Sequence, residues 1–338
     1  MTAKRTLQTR NFGRVIGSVI GSVIVVATTA VTLMGAIASA TPRPMITESE
    51  KQRGLQLMQQ PKINKPVEVE YYSDSVSCMK FYMTFHLPKA STGQEMIVKV
   101  KFQRPVGRGP FPLVMIFPTI AGETPIEPAA ADNLCFARIA SVIANINGNH
   151  VPAQVPGFEV HDQEFQFAIQ TARAIMDYMS WNPDIDKNNI GVMGFSLGGI
   201  TASLLTGVDS RVKASVIVAG GGNLPSIMAH SDQAEIAKLR QQRMQYLGIT
   251  SPEALEVFGR KYSLLDPLFY VSPKQRDQIL QVVVTDDTKV PTDTQVELWN
   301  AYGRPTRWVY QGGHVASIIS FAFLNSSEPV QFFQQKLR

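Results

Sequence analysis

Gly194-Phe195-Ser196-Leu197-Gly198 is the stretch of this sequence best suited to chemistry. A serine flanked by glycines two residues before and two after fits a sharp turn from a strand into a helix. The missing side chains let strand and helix approach closely, and the turn pushes the serine hydroxyl out above the sheet. The context agrees. The apolar run Ile190-Gly191-Val192-Met193 precedes the motif, and helix-compatible Gly199-Ile200-Thr201-Ala202-Ser203-Leu204-Leu205 follows it. The chemistry such a serine performs is nucleophilic attack on an acyl carbon, with the helix N-terminus favouring the charge that develops.

A serine hydroxyl needs a base, and a histidine base needs an acid to fix its tautomer. Of the five histidines, His314 is the candidate, because Gly312-Gly313-His314 sits in a loop after the last expected strand. His86 at a strand end, His230, and His150 and His161 in one long loop read as surface or packing residues; His161 could also line a pocket. For the acid, the strand 280–284 runs into Thr285-Asp286-Asp287-Thr288-Lys289-Val290-Pro291. An aspartate just past a parallel strand faces the edge where sites form. The D-x-x-V-P spacing favours Asp287, Asp286 stays open beside it, and Asp293 reads as the start of a helix over 294–302. The order Ser196, Asp287, His314 excludes the two protease-type orders in which serine comes last.

The elements that must hold these residues alternate. Early strands are expected at 81–85 and 96–100 as an antiparallel pair. The continuous apolar runs 113–117 and 141–146 read as buried parallel strands, followed by 190–193, 216–218, 280–284 and 308–310. Between 162 and 180, Phe165, Ile169, Ala172, Ile175, Met176 and Met179 recur at helical spacing. The alternation implies an α/β fold, a mostly parallel sheet with helices on both faces. Residues 224–262 break it. They hold two expected helices, 230–246 and 252–262, the second opened by Ser251-Pro252-Glu253. This insertion reads as a small helical cap over the strand ends, a crossover helix with a long loop being the alternative. Met228, Leu239, Met244, Leu247, Leu255, Val257 and Phe258 either line a pocket beneath it or form its own core.

On Gly194-Phe195-Ser196-Leu197-Gly198-Gly199, Asp287 with Val290-Pro291, and Gly312-Gly313-His314, residues 95–336 resemble the α/β-hydrolase superfamily, nearest its dienelactone-hydrolase and peptidase-related branch. Asp266-Pro267 also looks like family sequence without a catalytic role, and a dienelactone hydrolase proper has cysteine where Ser196 stands. The resemblance implies Ser196 as nucleophile, His314 as general base and acid, and Asp287 as its partner. It implies an oxyanion hole from the Leu197 N–H and a second N–H, that of Ile120 or else Thr119, in Phe117-Pro118-Thr119-Ile120-Ala121-Gly122. Thr119 stands where the family has a glycine, and its β-carbon limits how closely backbone approaches a substrate. Residues 119 and 120 could instead only pack the strand end.

The remaining composition bounds the function. Of 338 residues, 44% are hydrophobic and 17% charged, enough for a sizeable core. The first 40 residues hold Lys4, Arg5, Arg10 and Arg14 and no acid. The rest carries 28 basic and 27 acidic residues and so has no footprint for nucleic acid. A basic head, the uncharged run 15–40 and Ala38-Ser39-Ala40 describe a signal peptide or, at that length, a retained membrane anchor. Either exports the body, to a periplasmic or extracellular location. Residues 41–66, with four prolines, read as a linker or N-terminal extension, and 67–338 as the hydrolase domain. Export would leave Cys78 and Cys135 free to pair, and the alternative is two buried thiols. No cofactor or metal is expected, as H-E-x-x-H, Walker A and G-x-G-x-x-G are missing from the sequence. The expected function is an exported serine hydrolase of small or lipid-like esters. An acyltransferase or peptidase of the cell envelope, or a non-catalytic binding protein on this fold, are the alternatives.

Overall fold

The computed structural model describes residues 46–63, 65–88, 95–146 and 159–338, which all lie in one compact unit. The run 15–40 and His150 fall outside the described residues, as does the side chain of His161. Among the described residues, no helix is long and apolar enough to cross a membrane.

Nine strands among these residues form a single sheet: β1 (Glu68–Asp74), β2 (Cys78–Pro88), β3 (Glu95–Pro105), β4 (Phe111–Phe117), β5 (Ala140–Ile143), β6 (Ile185–Phe195), β7 (Val212–Val218), β8 (Ile279–Val284) and β9 (Thr306–Tyr310). Their spatial order is β1-β2-β3-β5-β4-β6-β7-β8-β9. The first three are antiparallel to one another, β3 is antiparallel to β5, and every later pairing is parallel. The parallel strands are buried on both faces, which is why they read as unbroken apolar runs. In β4, Leu113, Met115 and Phe117 enter one core while Val114 and Ile116 enter the other. Over the first core lies α3 (Glu159–Met179), whose Phe165, Ile169, Ala172, Ile175, Met176 and Met179 are all buried there. Beside it runs α4 (Leu197–Val208).

The second core is covered by α2 (Ile126–Phe136), α9 (His314–Leu324) and α10 (Ser327–Lys336), while α8 (Thr292–Ala301) precedes β9. A disulfide joins Cys78, the first residue of β2, to Cys135 in the last turn of α2, with the Cα atoms 6.2 Å apart. Closing a loop across 57 residues stabilises the fold by about 4 kcal/mol on the chain-entropy model. The extension before β1 contains α1 (Glu48–Leu57), begun by a Thr47–Glu50 capping box. It is followed by Met58, which is buried in the first core.

Between β7 and β8 lie three helices where two were expected: α5 (Leu224–His230), α6 (Ala234–Leu247) and α7 (Pro252–Tyr262). The helix expected over 230–246 is interrupted at Ser231, whose hydroxyl donates to Lys289 O (2.6 Å) and accepts from Gln233 N (3.1 Å). A tertiary bond thus stops one helix and starts the next. Ser251 caps α7 by accepting from Ala254 N, with Pro252 at the first position. Met228 and Leu255 are buried against Leu239, Met244, Leu247 and Phe258, so these residues form the cap's own core. Val257 is exposed.

Candidate active site

The strand-to-helix turn is built by exclusion. A β-carbon at Gly194 would lie 2.0 Å from the Gly198 carbonyl oxygen, and one at Gly198 would lie 2.0 Å from that of Phe117. Only glycine allows β6 to pass directly into α4 beside β4. Ser196 takes the strain, with φ 56° and ψ −117°, a backbone conformation that costs a non-glycine residue about 1–3 kcal/mol. It is held there by its neighbours. Phe195 pairs with Val218 of β7, and Ser196 N donates to Val218 O (2.8 Å).

The structure brings Ser196, His314 and Asp287 into one row. His314 Nε2 lies 2.7 Å from Ser196 Oγ, and Nδ1 lies 2.6 Å from Asp287 Oδ2. An ionised carboxylate only accepts, so Nδ1 carries the proton and Nε2 is left to accept from the serine hydroxyl. All three side chains are buried. Asp287 Oδ1 accepts from Lys289 N (2.9 Å) and Val290 N (3.0 Å), which explains the D-x-x-V-P spacing: the acid folds its own turn. Asp286, the residue left open beside it, points elsewhere, to the backbone before His314. Asp293 lies in the first turn of α8, one residue inside its start, with Oδ1 accepting from Thr294 N.

One residue in contact with the row escaped the sequence reading. Gln295 on α8 is fully buried and gives Nε2 to Asp287 Oδ2 (2.9 Å) and to Val290 O (2.7 Å). Its Oε1 accepts from Val284 N at the end of β8 (3.0 Å). It fixes the carboxylate against the strand that carries it. A polar residue on an otherwise ordinary helix gives no signal by itself; only the fold places it under Asp287.

The loop after β4 adjoins the turn, because Phe117 pairs with Gly194 and the start of α4 packs on Phe117 and Pro118. Thr119 and Gly122 close it as a bridge, with Gly122 N donating to Thr119 O (3.0 Å). The Thr119 hydroxyl accepts from Ala121 N (3.3 Å) and so is used within the loop. Beyond it, Glu123 pairs with Lys101 (2.5 Å), and Glu127 accepts from both Thr124 N and Thr124 Oγ1. Neither Ile120 N nor Leu197 N has a hydrogen-bond acceptor among the described residues. The Leu197 N–H directly follows Ser196 at the start of α4, and an N–H without an acceptor at such a position is able to receive an oxyanion.

The remaining described histidines are paired away from this row, His86 with Glu68 and Glu95, and His230 with Glu256. Among the described residues, no group of three or more His, Cys, Asp or Glu could hold a metal ion. The cap meets the acid loop directly: Asp232 N donates to Thr288 O (3.0 Å), and Lys289 Nζ pairs with Asp232 (3.0 Å). Asp266, just past the cap, ties back to its start by accepting from Asn223 N and Leu224 N, and caps the next turn by accepting from Leu268 N. That is the structural reason for its Asp-Pro pair.

Comparison with known proteins agrees with the fold. The sequence model for the family described as BAAT / acyl-CoA thioester hydrolase C terminal matches residues 172–298, a span that holds Ser196 and Asp287. No curated protein sequence matches. An acetyl xylan esterase from a Paenibacillus species is similar in structure, with TM-score 0.62 and 16% identity over 85% of this chain and 93% of its own. Acetyl xylan esterase 1 from a Thermoanaerobacterium species gives 0.60 and 17% over 84% and 92%. A glucuronoyl esterase from Teredinibacter turnerae gives 0.54 and 12% over 85% and 83%. The chain has the α/β-hydrolase fold.

Proposed function

We propose that this chain is a serine hydrolase that cleaves carboxylic esters or related acyl bonds through an acyl-enzyme. The observation that carries the reading is the row Asp287–His314–Ser196, at 2.6 and 2.7 Å, set on a strained turn at the carboxyl edge of the sheet. Ser196 Oγ attacks the carbonyl carbon as His314 Nε2 takes its proton, and Asp287 stabilises the imidazolium. The Leu197 and Ile120 N–H groups receive the oxyanion; in such a site losing one donor costs about 2.7–4 kcal/mol of barrier. His314 then protonates the departing alcohol, and the bond from the acyl carbon to that alcohol breaks. Water, deprotonated by His314, attacks the acyl-enzyme and releases the acid and Ser196.

The substrate is a small or lipid-like ester. The cap's apolar residues are spent on its own core, so the acyl group is not placed among them. The family model's description favours a second reading, in which the acyl group comes from a thioester or passes to another acceptor. The body is exported by residues 1–40, to the periplasm or the outside, with 15–40 attaching it to the membrane if retained. The disulfide supports this, since such bonds persist in oxidising compartments.

The test is hydrolysis of p-nitrophenyl esters of increasing chain length by residues 41–338 beside Ser196→Ala, with alcohol or amine added to reveal transfer. Activity in the wild type alone is expected. Equal rates in both proteins would remove Ser196 from the reaction.

A further inference from the structure

We propose that Asp286 is a positioning residue for the same reaction: by accepting the N–H groups of both Gly312 and Gly313, its carboxylate fixes the turn that presents His314 to Ser196. The inference rests on the reading of Ser196, His314 and Asp287 given above.

The turn has little else to hold it. Upstream, β9 is secured where Tyr310 O accepts from Thr285 N (3.0 Å). Downstream, α9 begins at His314 with Gly313 as its cap, and its first bond runs from Ser317 N to Gly313 O (3.1 Å). Between them, Gly312 and Gly313 have φ 115° and 76°, and around the β-carbon position of each there is open space within 4 Å. Two consecutive glycines without packing sample many conformations. Here their N–H groups turn towards one carboxylate. Gly312 N lies 3.1 and 3.0 Å from Asp286 Oδ1 and Oδ2, and Gly313 N lies 3.0 Å from Oδ2. Successive backbone N–H groups converging on an anion form a nest, here occupied by a side chain of the protein. These bonds, Gly313 N–H first, hold the Asp286 carboxyl below the usual carboxylate range.

Two adjacent aspartates therefore grip one histidine in different ways. Asp287 holds the imidazole, and Asp286 holds the backbone that carries it. The ring bond alone lets the histidine pivot; the backbone bonds remove that freedom. A misplacement of about 1 Å can cost a reaction on the order of a hundredfold.

The experiment measures the rate at which a fluorophosphonate labels Ser196 in the wild type, Asp286→Ala, Asp286→Asn and Ser196→Ala. Melting temperatures and kcat and KM for p-nitrophenyl acetate are taken alongside. Asp286→Ala should label about tenfold more slowly or worse, with kcat falling, KM held and the melting temperature little changed. Asp286→Asn should recover most of the rate, because its amide oxygen still accepts from the glycine N–H groups. Labelling of Asp286→Ala at the wild-type rate would overturn the proposal. So would equal slowing of both variants together with a lowered melting temperature, which marks a purely structural role. A wild type that does not label would instead sink the reading of Ser196, and this one with it.

Discussion

The turn around Ser196 and the cap between β7 and β8 lie at the same edge of the sheet but are held by different means. The turn is fixed by lack of space. Backbone packs on backbone at Gly194 and Gly198, inside two cores, with Phe117 and Val218 paired on either side. The cap has only a small core around Met228 and Leu255. It is tethered by two carboxylates that accept backbone N–H groups, Asp266 from Asn223 N and Leu224 N at the entry and Asp162 of α3 from Leu264 N and Leu265 N at the exit, and by exposed contacts of Asp232, whose carboxylate accepts from Thr288 Oγ1 and pairs with Lys289. The difference separates two tasks. The turn is held rigidly by packed backbone, and the cap is only moored.

Glycines give the sharpest contrast. Gly198→Ala places a β-carbon 2.0 Å from Phe117 O, so backbone must move; a loss of about 3 kcal/mol or more is expected, with activity abolished. Gly248, which ends α6 in the left-handed region, has nothing within 4 Å of its β-carbon position. Gly248→Ala should cost only about 1 kcal/mol, the conformational penalty itself. Thermal melts of both variants check the pair, and equal losses would remove the distinction.

Gln295→Leu comes next. It leaves Val284 N without its acceptor and takes a donor from Asp287. A buried group left unsatisfied costs about 1–3 kcal/mol. Stability should fall by that much, and kcat with it, while KM holds; unchanged kcat would show that Asp287 needs no support from α8.

A pH-dependent effect concerns the cap's mooring. Asp162 is buried, and burial outweighs its bonds from Leu264 N, Leu265 N and Ser263 Oγ, raising its pKa to about 6. The folded protein therefore holds this proton where the unfolded chain has released it. Stability is highest below the unfolded value and falls as pH rises towards 6, staying low above it, by on the order of 2–3 kcal/mol. Asp162→Asn should flatten that slope in melts taken between pH 4 and 7. A slope that survives the substitution would assign it to other groups, of which Glu164, half-buried and raised to about 7 by desolvation with Arg243 opposing, is the first.

The same contrast decided what could be read from the sequence. Ser196, Asp287 and His314 were legible because each needs local backbone chemistry: glycines at fixed offsets, a turn closed by Val290 N, and a glycine pair before the histidine. The parallel strands were legible as apolar runs. β1 was not, since its whole length is exposed and it exists by pairing with β2. The break in the cap at Ser231 depends on Lys289, 58 residues away, and Gln295 gains its role only once α8 lies under the acid loop. Both are set by tertiary contacts, which no local pattern encodes. The apolar residues of 224–262 satisfied two readings until their packing on one another chose between them.

The most direct test of the central claim, that Ser196 is a nucleophile activated by His314, is intact-mass analysis of wild type, Ser196→Ala and His314→Ala after treatment with a fluorophosphonate, followed by peptide mapping. One adduct on the wild type, mapped to Ser196, absent from Ser196→Ala and severely slowed in His314→Ala, is the expected result. An adduct elsewhere, or labelling that ignores His314, would contradict it.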